Sequence, residues 1–389
     1  MPKTYLDYAA TTPCDPKVAK AMSGFLKKDF GNPSSIHNFG QKASMAIGGA
    51  RQLAAEFLGC ESEEIVFTGS ATEADNLAIF GVVKATKVAQ PHLITSQIEH
   101  PAVLESCREL ERRGVQVTYL PVGKDGVVEV AELKKALKSN TVLVSVMYAN
   151  NEVGTIQPIA EIAEVIKKTN PKTLFHTDAV QAVNFLDCDV KKLGADLLTL
   201  SGHKIYGPKG VGALYIKKGT PIEPIIYGGG HERGLRSGTE NVAGIVGLGQ
   251  AIKEIQNPKS KIQNIRIRQF RDKLIKTILK IIPASRLNGS LAQRLPNNVN
   301  ISFDGAEGEA IVVALDQKGI AASTGSACSS GSLEPSHVLL ALGLSEEVAH
   351  GSLRLTLGKY NTAKDVEKVI KVLPIVIQKL RKISGYNQS

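Results

Sequence analysis

The stretch Leu197-Leu198-Thr199-Leu200-Ser201-Gly202-His203-Lys204 decides the fold class of this 389-residue chain. Its apolar first half, 197–200, predicts a buried strand, which gives way at once to a turn carrying polar groups. Similar short runs, many of them β-branched, alternate with longer amphipathic segments from about residue 15 to residue 256, a pattern typical of βαβ units and a mostly parallel sheet. The predicted strands are 65–68, 92–96, 115–120, 142–147, 174–177, 197–200 and 211–216.

The intervening segments have helical periodicity. Together with the strands they predict one large doubly wound domain over 15–257. The composition turns polar at 257–260, and a strand at 299–303 and a helix at 307–315 indicate a smaller domain over 258–389, to which residues 1–14 return. The predicted helices of the large domain are 43–58, 72–85, 102–113, 130–137 and 159–168.

Apolar residues make up 43% of the chain and charged residues 22%, which is typical of a globular protein with a large core. The five cysteines (Cys14, Cys60, Cys107, Cys188 and Cys328) are scattered and lack the C-x-x-C spacing of a zinc site or a dithiol. We therefore expect a reducing, cytoplasmic environment and no metal centre of the protein's own. The N-terminus has no signal-peptide pattern, and no apolar run approaches the roughly twenty residues that cross a bilayer, so we expect no membrane contact.

The net charge of +10 is densest in the segment 259–280, which also has helical periodicity. Ile262, Ile265, Phe270, Leu274 and Ile278 recur there at near-helical spacing, with Lys and Arg mostly between them. We favour a packed helix with a solvated basic face; the alternative is a binding patch for an acidic protein. No nucleic-acid motif accompanies the charge, so we expect no direct nucleic-acid binding.

In open α/β sheets ligands bind at the carboxyl ends of the strands, so the residues after each predicted strand are the candidates for chemistry. Strand 65–68 leads into Gly69-Ser70-Ala71-Thr72, a turn of small residues that opens a helix. The backbone N–H groups there, with the Thr72 hydroxyl, could hold a phosphate. The same pattern also fits a capped helix without a ligand.

Three more strands lead to polar side chains. His100, before the proline that starts a helix, could stack on a ring and transfer protons, or could simply cap the helix. Asn151 follows strand 142–147 and offers an amide to a cofactor or substrate oxygen. Asp178 ends strand 174–177, where a carboxylate can keep a heterocyclic nitrogen protonated.

The strand quoted first delivers Ser201, His203 and Lys204. A partly desolvated lysine near a cationic cofactor has a lowered pKa and can form a Schiff base with an aldehyde. A phosphate site, a ring-facing histidine, an aspartate for a pyridinium and an imine-forming lysine together specify pyridoxal 5′-phosphate (PLP). None of them does so alone.

Distinctive runs occur along the whole chain: 6–13 (LDYAATTP), 31–35 (GNPSS), 71–73 (ATE), 201–210 (SGHKIYGPKG), 228–232 (GGGHE) and 236–239 (RSGT). They resemble the cysteine desulfurases of the NifS/IscS type, in the class-V aminotransferase superfamily. Two further runs, 325–328 (GSAC) and 333–339 (LEPSHVL), are similar to the long cysteine loop of the group I enzymes. The resemblance implies the α/β fold of PLP-dependent transferases of fold type I, with a mostly parallel seven-stranded sheet in the large domain and a smaller α+β C-terminal domain.

The resemblance also implies a role for each candidate residue at the cofactor. Lys204 would form the Schiff base, and His100 would stack on the ring and act as acid or base. Asp178 would pair with the ring nitrogen and Gln181 with the ring hydroxyl. The phosphate would be held by Ala71, Thr72, Ser201 and His203, and by Thr239 from the other subunit of a homodimer.

For the substrate, the resemblance implies that Asn151 and Arg354 bind the α-carboxylate of L-cysteine, a task that suits a planar guanidinium. The products would be L-alanine and a persulfide on Cys328, in a catalytic loop at about 323–337. Gly325 and Gly331 would let this loop swing between the cavity and a sulfur acceptor. The acceptor would be an Fe–S scaffold protein of the IscU/NifU type, and Cys328 could transiently ligate a nascent Fe–S cluster.

Three alternatives stay open: a PLP aminotransferase of the same fold in which Cys328 is incidental, a selenocysteine lyase, and a non-catalytic scaffold. The destination of the sulfur also stays open among nitrogenase maturation, housekeeping Fe–S assembly and tRNA thiolation. The run 240–242 (ENV) and the long loop resemble NifS. The chain ends at Ser389 without the longer tail expected of IscS, which makes docking through such a tail doubtful.

Overall fold

The computed structural model describes residues 4–325 and 334–386, which form twelve strands and thirteen α-helices. The strands are β1 (Thr4–Tyr5), β2 (Ile65–Thr68), β3 (His92–Ser96), β4 (Gln116–Leu120), β5 (Thr141–Ser145), β6 (Leu174–Asp178), β7 (Leu197–Ser201), β8 (Gly212–Ile216), β9 (Ser285–Leu287), β10 (Asn298–Phe303), β11 (Ile320–Ala321) and β12 (Ser352–Thr356). The helices are α1 (Pro16–Lys27), α2 (Asn38–Leu58), α3 (Ala71–Ala85), α4 (Pro101–Arg112), α5 (Val130–Ala136), α6 (Ile159–Thr169), α7 (Val190–Leu193), α8 (Val242–Gln256), α9 (Pro258–Ile281), α10 (Gly308–Gln317), α11 (His337–Ala341), α12 (Glu346–His350) and α13 (Ala363–Ile383).

Seven strands form one sheet, in the order β2-β8-β7-β6-β5-β3-β4. β8 runs antiparallel to both of its neighbours, and the remaining pairs are parallel. The prediction of a mostly parallel seven-stranded sheet is therefore confirmed. Each predicted strand lies within two residues of the observed bounds.

Both faces of this sheet are covered by helices. Successive residues of a strand alternate between two cores: Leu197 packs with α3 and α4 on one face, and Leu198 packs with α2, α6 and α8 on the other. This explains why the strands have apolar residues at nearly every position instead of an alternating pattern. It also leaves the carboxyl ends of the strands as the open edge at which polar groups collect.

A separate core belongs to the C-terminal third of the chain and includes Leu6 from the N-terminus. It lies around the antiparallel sheet β12-β10-β9 and helices α9, α10 and α13, while β1 pairs in parallel with β11. The return of the N-terminal residues to this region thus has a direct cause in strand pairing. The division at residues 257 and 258 stays a prediction.

The basic helix α9 corrects one sequence-based expectation. Ile262 and Ile265 are 68% and 60% exposed, and the buried face consists instead of Ile267, Arg271, Leu274, Ile275 and Ile278. At 100° per residue, Ile265 lies about 180° around the helix from Leu274, so the two cannot face the same core. The expected apolar stripe combined residues from both sides of the helix.

Helices α1, α8 and α13 were not among the predicted helices. α8 packs closely against α2 because of its glycines: a Cβ on Gly249 would lie 2.8 Å from the Cβ of Ala50 in α2.

Within residues 4–325 and 334–386, no helix has the length and apolar character needed to cross a membrane.

Candidate active site

A cavity of about 290 Å³ opens where β2, β3, β5, β6 and β7 end. Nearly every candidate residue from the sequence that lies in the described part of the chain contributes to its wall. The walls also include residues that the sequence analysis did not select. The lining consists of Ala9, Ala10, Ser70, Ala71, Thr72, Asp75, His100, Met147, Asn151, Asp178, Val180, Gln181, Ser201, His203, Lys204 and Arg354.

Lys204 lies on the short 3-10 turn Gly202–Lys204 that follows β7. Its Nζ donates hydrogen bonds to the carbonyl oxygens of Ala9 (2.6 Å) and Ala10 (2.8 Å). Gln181 Nε2 donates to the same Ala9 oxygen at 3.0 Å. The N-terminal segment therefore closes one side of the cavity and holds the lysine amine in place.

Asp178 ends β6 and is 5% exposed. Its Oδ1 accepts the N–H of Val180 at 2.9 Å. Burial raises the pKa of Asp178 to about 6, while the Val180 N–H and the positive charge of Lys204 oppose the rise. The carboxyl group thus stays mostly ionised at neutral pH, as a partner for a protonated ring nitrogen must be.

Asp75 lines the same cavity from α3 and was missed by the sequence analysis. It is 1% exposed, and its Oδ1, which lies 3.6 Å from His176 Nε2, has no hydrogen-bond partner. Burial first, and then the charge of Asp178, raise the pKa of Asp75 well above its usual value. Only one carboxylate charge is therefore expected in the pair. An aspartate on an otherwise apolar helix face was the signal that could have found it.

The candidate phosphate site is the N-terminus of α3. Ser70 is the N-cap residue, and its hydroxyl oxygen accepts the N–H of Glu73 at 3.1 Å. Ala71 and Thr72, in the first turn of α3, line the cavity. The positive end of the helix dipole therefore borders the space where an anion would lie. The helix is therefore capped and its first turn borders the cavity, while phosphate binding there stays a prediction.

Two histidines border the cavity in neutral form. His100 is the N-cap residue of α4, and its Nδ1 accepts the N–H of Ala102 at 3.1 Å, which places the proton of the neutral ring on Nε2. Burial, with Lys204 and His337 nearby, lowers the pKa of His100 to about 4. Burial likewise lowers the pKa of His203 to about 4. His100 therefore both caps a helix and lines the cavity.

Arg354 brings a cation to the cavity from β12, which belongs to the C-terminal sheet and not to the seven-stranded sheet. Its Nη1 donates to the Asn151 carbonyl oxygen at 3.0 Å and its Nη2 to Asp7 Oδ1 at 2.9 Å. The residue is 2% exposed, and its Nε has no hydrogen-bond partner. A buried guanidinium with an unsatisfied N–H beside a cavity is suited to an anionic ligand such as a carboxylate.

Comparisons with known proteins agree with this geometry. The family model described as Aminotransferase class-V matches residues 4–369. The cysteine desulfurase IscS of Dictyoglomus turgidum is 52% identical over 387 residues, which cover 99% of this chain and 97% of that protein. This chain belongs to the cysteine desulfurases of the class-V aminotransferase family.

Two solved structures extend the likeness to three dimensions. A NifS-like protein has a TM-score of 0.89 at 38% identity, over 99% of this chain and 100% of the other. SspA in complex with cysteine has a TM-score of 0.80 at 38% identity, over 92% of this chain and 100% of the other. The fold of this cysteine desulfurase family member is therefore fold type I, with a smaller C-terminal part beside the large sheet.

As a member of this family the protein is a PLP-dependent enzyme, and the cavity fits that cofactor. A buried carboxylate, a lysine amine and a helix N-terminus meet the needs of a pyridine nitrogen, an aldehyde and a phosphate. The volume is near the lower end of the range for small-molecule sites. In the described part of the chain, no cluster of three or more His, Cys, Asp or Glu could hold a metal ion.

Two candidate residues are not placed in the cavity. Thr239 is exposed and does not line the cavity of its own chain. Cys328 lies outside the described residues. On either side of its segment, Gly325 and Ser336 lie against Glu152: a Cβ on Gly325 would be 2.5 Å from Glu152 Oε2, and the Ser336 hydroxyl donates to that atom at 2.5 Å.

Proposed function

We propose that this protein converts L-cysteine to L-alanine and carries the released sulfur on Cys328. The observation that carries the proposal is the convergence of Lys204, Asp178 and Arg354 in one buried cavity of a cysteine desulfurase family member. A lysine and a buried aspartate suit PLP chemistry in general. A buried guanidinium with an unsatisfied N–H suits an amino-acid substrate.

The residues of the cavity would hold the cofactor from three sides. Lys204 would bind the aldehyde covalently, Asp178 would accept a hydrogen bond from the ring nitrogen, and Gln181 would contact the ring hydroxyl. PLP, when bound, supplies an electron sink for the bonds to the substrate α-carbon. The phosphate would be bound by Ala71, Thr72, Ser201 and His203, together with the partner subunit's Thr239.

Substrate orientation would come from Arg354 and Asn151. Arg354 is already fixed by its hydrogen bonds to the Asn151 carbonyl oxygen and to Asp7, so little conformational entropy is lost when a carboxylate binds. The side-chain amide of Asn151 borders the same cavity and would complete the carboxylate site.

Proton transfer would fall to Lys204 and His100. The depressed pKa of His100 keeps its ring neutral at physiological pH, so the ring can stack on an aromatic cofactor and can accept a proton. The Lys204 amine, which borders the same cavity, would act as the base that takes the substrate α-proton. Both groups border one cavity, which makes such transfers short.

Sulfur transfer follows as a displacement at the substrate sulfur. The thiolate of Cys328 attacks that sulfur, an S–S bond forms, and the C–S bond breaks with its electron pair left on the β-carbon. Protonation of the carbon skeleton gives alanine. In sum, L-cysteine and the Cys328 thiol become L-alanine and a Cys328 persulfide, with no outside oxidant or reductant.

The proposal includes a homodimer in the cytoplasm that delivers sulfur to an Fe–S scaffold protein of the IscU/NifU type. The exposed position of Thr239 supports the dimer, because a phosphate ligand outside its own cavity can serve the cavity of a second copy. The four cysteines of the described residues are all free thiols, as expected in a reducing compartment.

The decisive experiment compares the wild type with Cys328→Ala and Cys14→Ala in an assay of sulfide and alanine release from L-cysteine, with dithiothreitol added to reduce the persulfide to sulfide. We expect Cys328→Ala to keep the absorbance of bound PLP and to release neither product. Cys14→Ala, which removes an exposed thiol, is the matched control and should behave as the wild type. Full sulfide release by Cys328→Ala would refute the mechanism, because the C–S bond would then break without this thiol as the sulfur acceptor.

A further inference from the structure

Two family motifs contain charged residues that the proposed chemistry does not use. Glu73 follows the phosphate-binding residues in 71–73, and Arg236 opens the run 236–239 that ends at Thr239. Arg236 Nε donates to Glu73 Oε1 at 2.9 Å, in an ion pair whose side chains are 24% and 18% exposed. The pair therefore joins the first turn of α3 to the segment that carries Thr239.

Glu73 is itself held in position at the candidate phosphate site. Its Oε2 accepts the N–H of Gly69 at 3.0 Å, and its own N–H donates to the Ser70 hydroxyl. A Cβ on Gly69 would lie 2.8 Å from Glu73 Oε2 and 3.5 Å from Arg236 Nη2. Glycine at position 69 thus leaves the space that the ion pair occupies.

The segment 228–239 is attached to the same protomer at a second point. Glu232 is 5% exposed, forms a two-bond ion pair with Arg51 (2.8 and 2.7 Å) and accepts the N–H of Phe67 at 2.9 Å. Glu232 and Arg233 have φ values of 46° and 58°, a left-handed conformation that is strained for side chains other than glycine. Such strain persists where surrounding contacts determine the backbone, and it is common at functional sites.

The segment is also closed on itself just before Thr239. The Ser237 hydroxyl donates to the Gly229 carbonyl oxygen at 2.7 Å, and the Gly238 N–H donates to His231 Nδ1 at 3.3 Å. The result is a rigid strap, 228–238, fixed at Glu232 and Arg236, with the exposed Thr239 at its end.

We propose that the Glu73–Arg236 ion pair is a positioning device that acts across the dimer: it fixes the strap of one subunit so that Thr239 reaches the phosphate of PLP in the other. The inference rests on the proposed role of Thr239. Because Glu73 lies in the first turn of α3, beside its own subunit's candidate phosphate site, the pair would mechanically connect the two phosphate sites of a dimer. Glu73 and Arg236 touch neither PLP nor substrate in this arrangement and are positioning residues.

The test uses hybrid dimers made by co-expression of two chains with different tags. Lys204→Ala in one chain removes the Schiff-base absorbance of its site, so only the other site is observed. In the first hybrid the chain with Lys204→Ala also carries Arg236→Gln; in the second hybrid Arg236→Gln lies in the chain with the observed site. PLP affinity of the observed site is measured by absorbance titration of the apo dimer.

We expect the first hybrid to bind PLP about tenfold more weakly than a hybrid with Lys204→Ala alone, because the phosphate would lose its hydrogen bond from a displaced Thr239. Weaker PLP binding in the first hybrid, whether or not the second hybrid also binds PLP more weakly, supports the proposal. The proposal is overturned if PLP binding is weaker only in the second hybrid, or if it is unchanged in both. Glu73→Gln, which breaks the pair from the α3 side, should reproduce the result if Arg236→Gln fails to fold.

Two controls separate this inference from the proposed function. Arg286→Gln breaks an ion pair of 3.4 Å with Asp304, outside the cavity, and should leave PLP affinity unchanged. Thr239→Ala takes the place of Arg236→Gln in the first hybrid. If Thr239→Ala is without effect, the role of Thr239 across the dimer is wrong; if it weakens binding while Arg236→Gln does not, only the positioning inference fails.

Discussion

At the scale of single residues, Glu99 shows how burial holds a proton beside the active site. The side chain is completely buried; its Oε1 accepts the Ser96 hydroxyl (2.5 Å) and the Met147 N–H (3.0 Å), and its Oε2 has no partner. Burial raises the pKa of Glu99 to about 8 in spite of these two hydrogen bonds. The residue is therefore protonated at neutral pH, next to His100.

This predicts a pH-dependent stability with a definite sign. In the unfolded chain Glu99 ionises near the ordinary glutamate pKa of 4.5, whereas the folded chain keeps the proton until about pH 8. Its contribution to stability is thus complete below pH 4.5 and is lost as the pH rises through 8. We expect Glu99→Gln, which cannot ionise, to gain thermal stability relative to the wild type across this interval and to gain no more above it.

Thermal unfolding at a series of pH values measures the difference. Glu105→Gln, in the helix α4 that begins two residues after Glu99, removes a carboxylate from an exposed ion pair with Arg108 and is the control, which should parallel the wild type. A constant difference between Glu99→Gln and the wild type at all pH values would show that Glu99 does not keep its proton.

At the scale of elements, the active site depends on how α3 begins. Gly212, the first residue of β8, lies beneath this point: a Cβ there would be 2.7 Å from the Ser70 carbonyl carbon and 2.9 Å from the Ala71 nitrogen. These are backbone atoms, which cannot move aside as the end of a side chain can. The close contact with β8 therefore fixes the position of the first backbone atoms of α3, where the candidate phosphate site lies.

We expect Gly212→Ala to weaken PLP binding by about tenfold or more, since overpacking costs about 1–3 kcal/mol and the displaced atoms belong to the proposed phosphate site. Absorbance titration of the apo protein measures the affinity. Gly24→Ala, in α1, is the matched control because its new Cβ would meet an Asp29 oxygen at an ordinary 3.6 Å. Unchanged affinity in Gly212→Ala would mean that α3 can shift without cost.

At the scale of the whole molecule, an exposed apolar surface is the candidate interface for the proposed dimer. Phe30 and Phe39 are 71% and 56% exposed, with ring centroids 5.7 Å apart, and Ile36 between them in sequence is 92% exposed. Leu26 and Met45 are exposed as well. Apolar groups clustered in this way on a surface are typical of an interface between proteins.

We expect Phe39→Asp to convert the proposed dimer into monomers and to weaken PLP binding, because each cavity would then lose the phosphate contact proposed for the partner subunit's Thr239. Sedimentation velocity and PLP titration measure the two effects. Ile262→Asp, at a 68% exposed position of α9, should change neither. A Phe39→Asp protein that stays dimeric would place the interface elsewhere.

The sequence by itself determined the sheet, the cofactor and most of the cavity. These features depend on local patterns: apolar runs that form strands, and polar residues directly after them, which one edge of a parallel sheet must bring together. Local patterns could not show that Asp75 faces Asp178, that Ala9 and Ala10 receive the lysine amine, or that Ile262 and Ile265 point away from the core.

Only the tertiary structure decided the contacts between distant segments. Arg354 meets Asp7 and Asn151, and Arg236 meets Glu73, across more than a hundred residues of sequence. Such contacts follow from how the sheets and their helices pack against each other. The spacing of residues along the chain does not show which distant segments will meet. The chemistry of the site is therefore local in origin, whereas the positions and proton affinities of its residues depend on burial and on neighbours that the fold alone supplies.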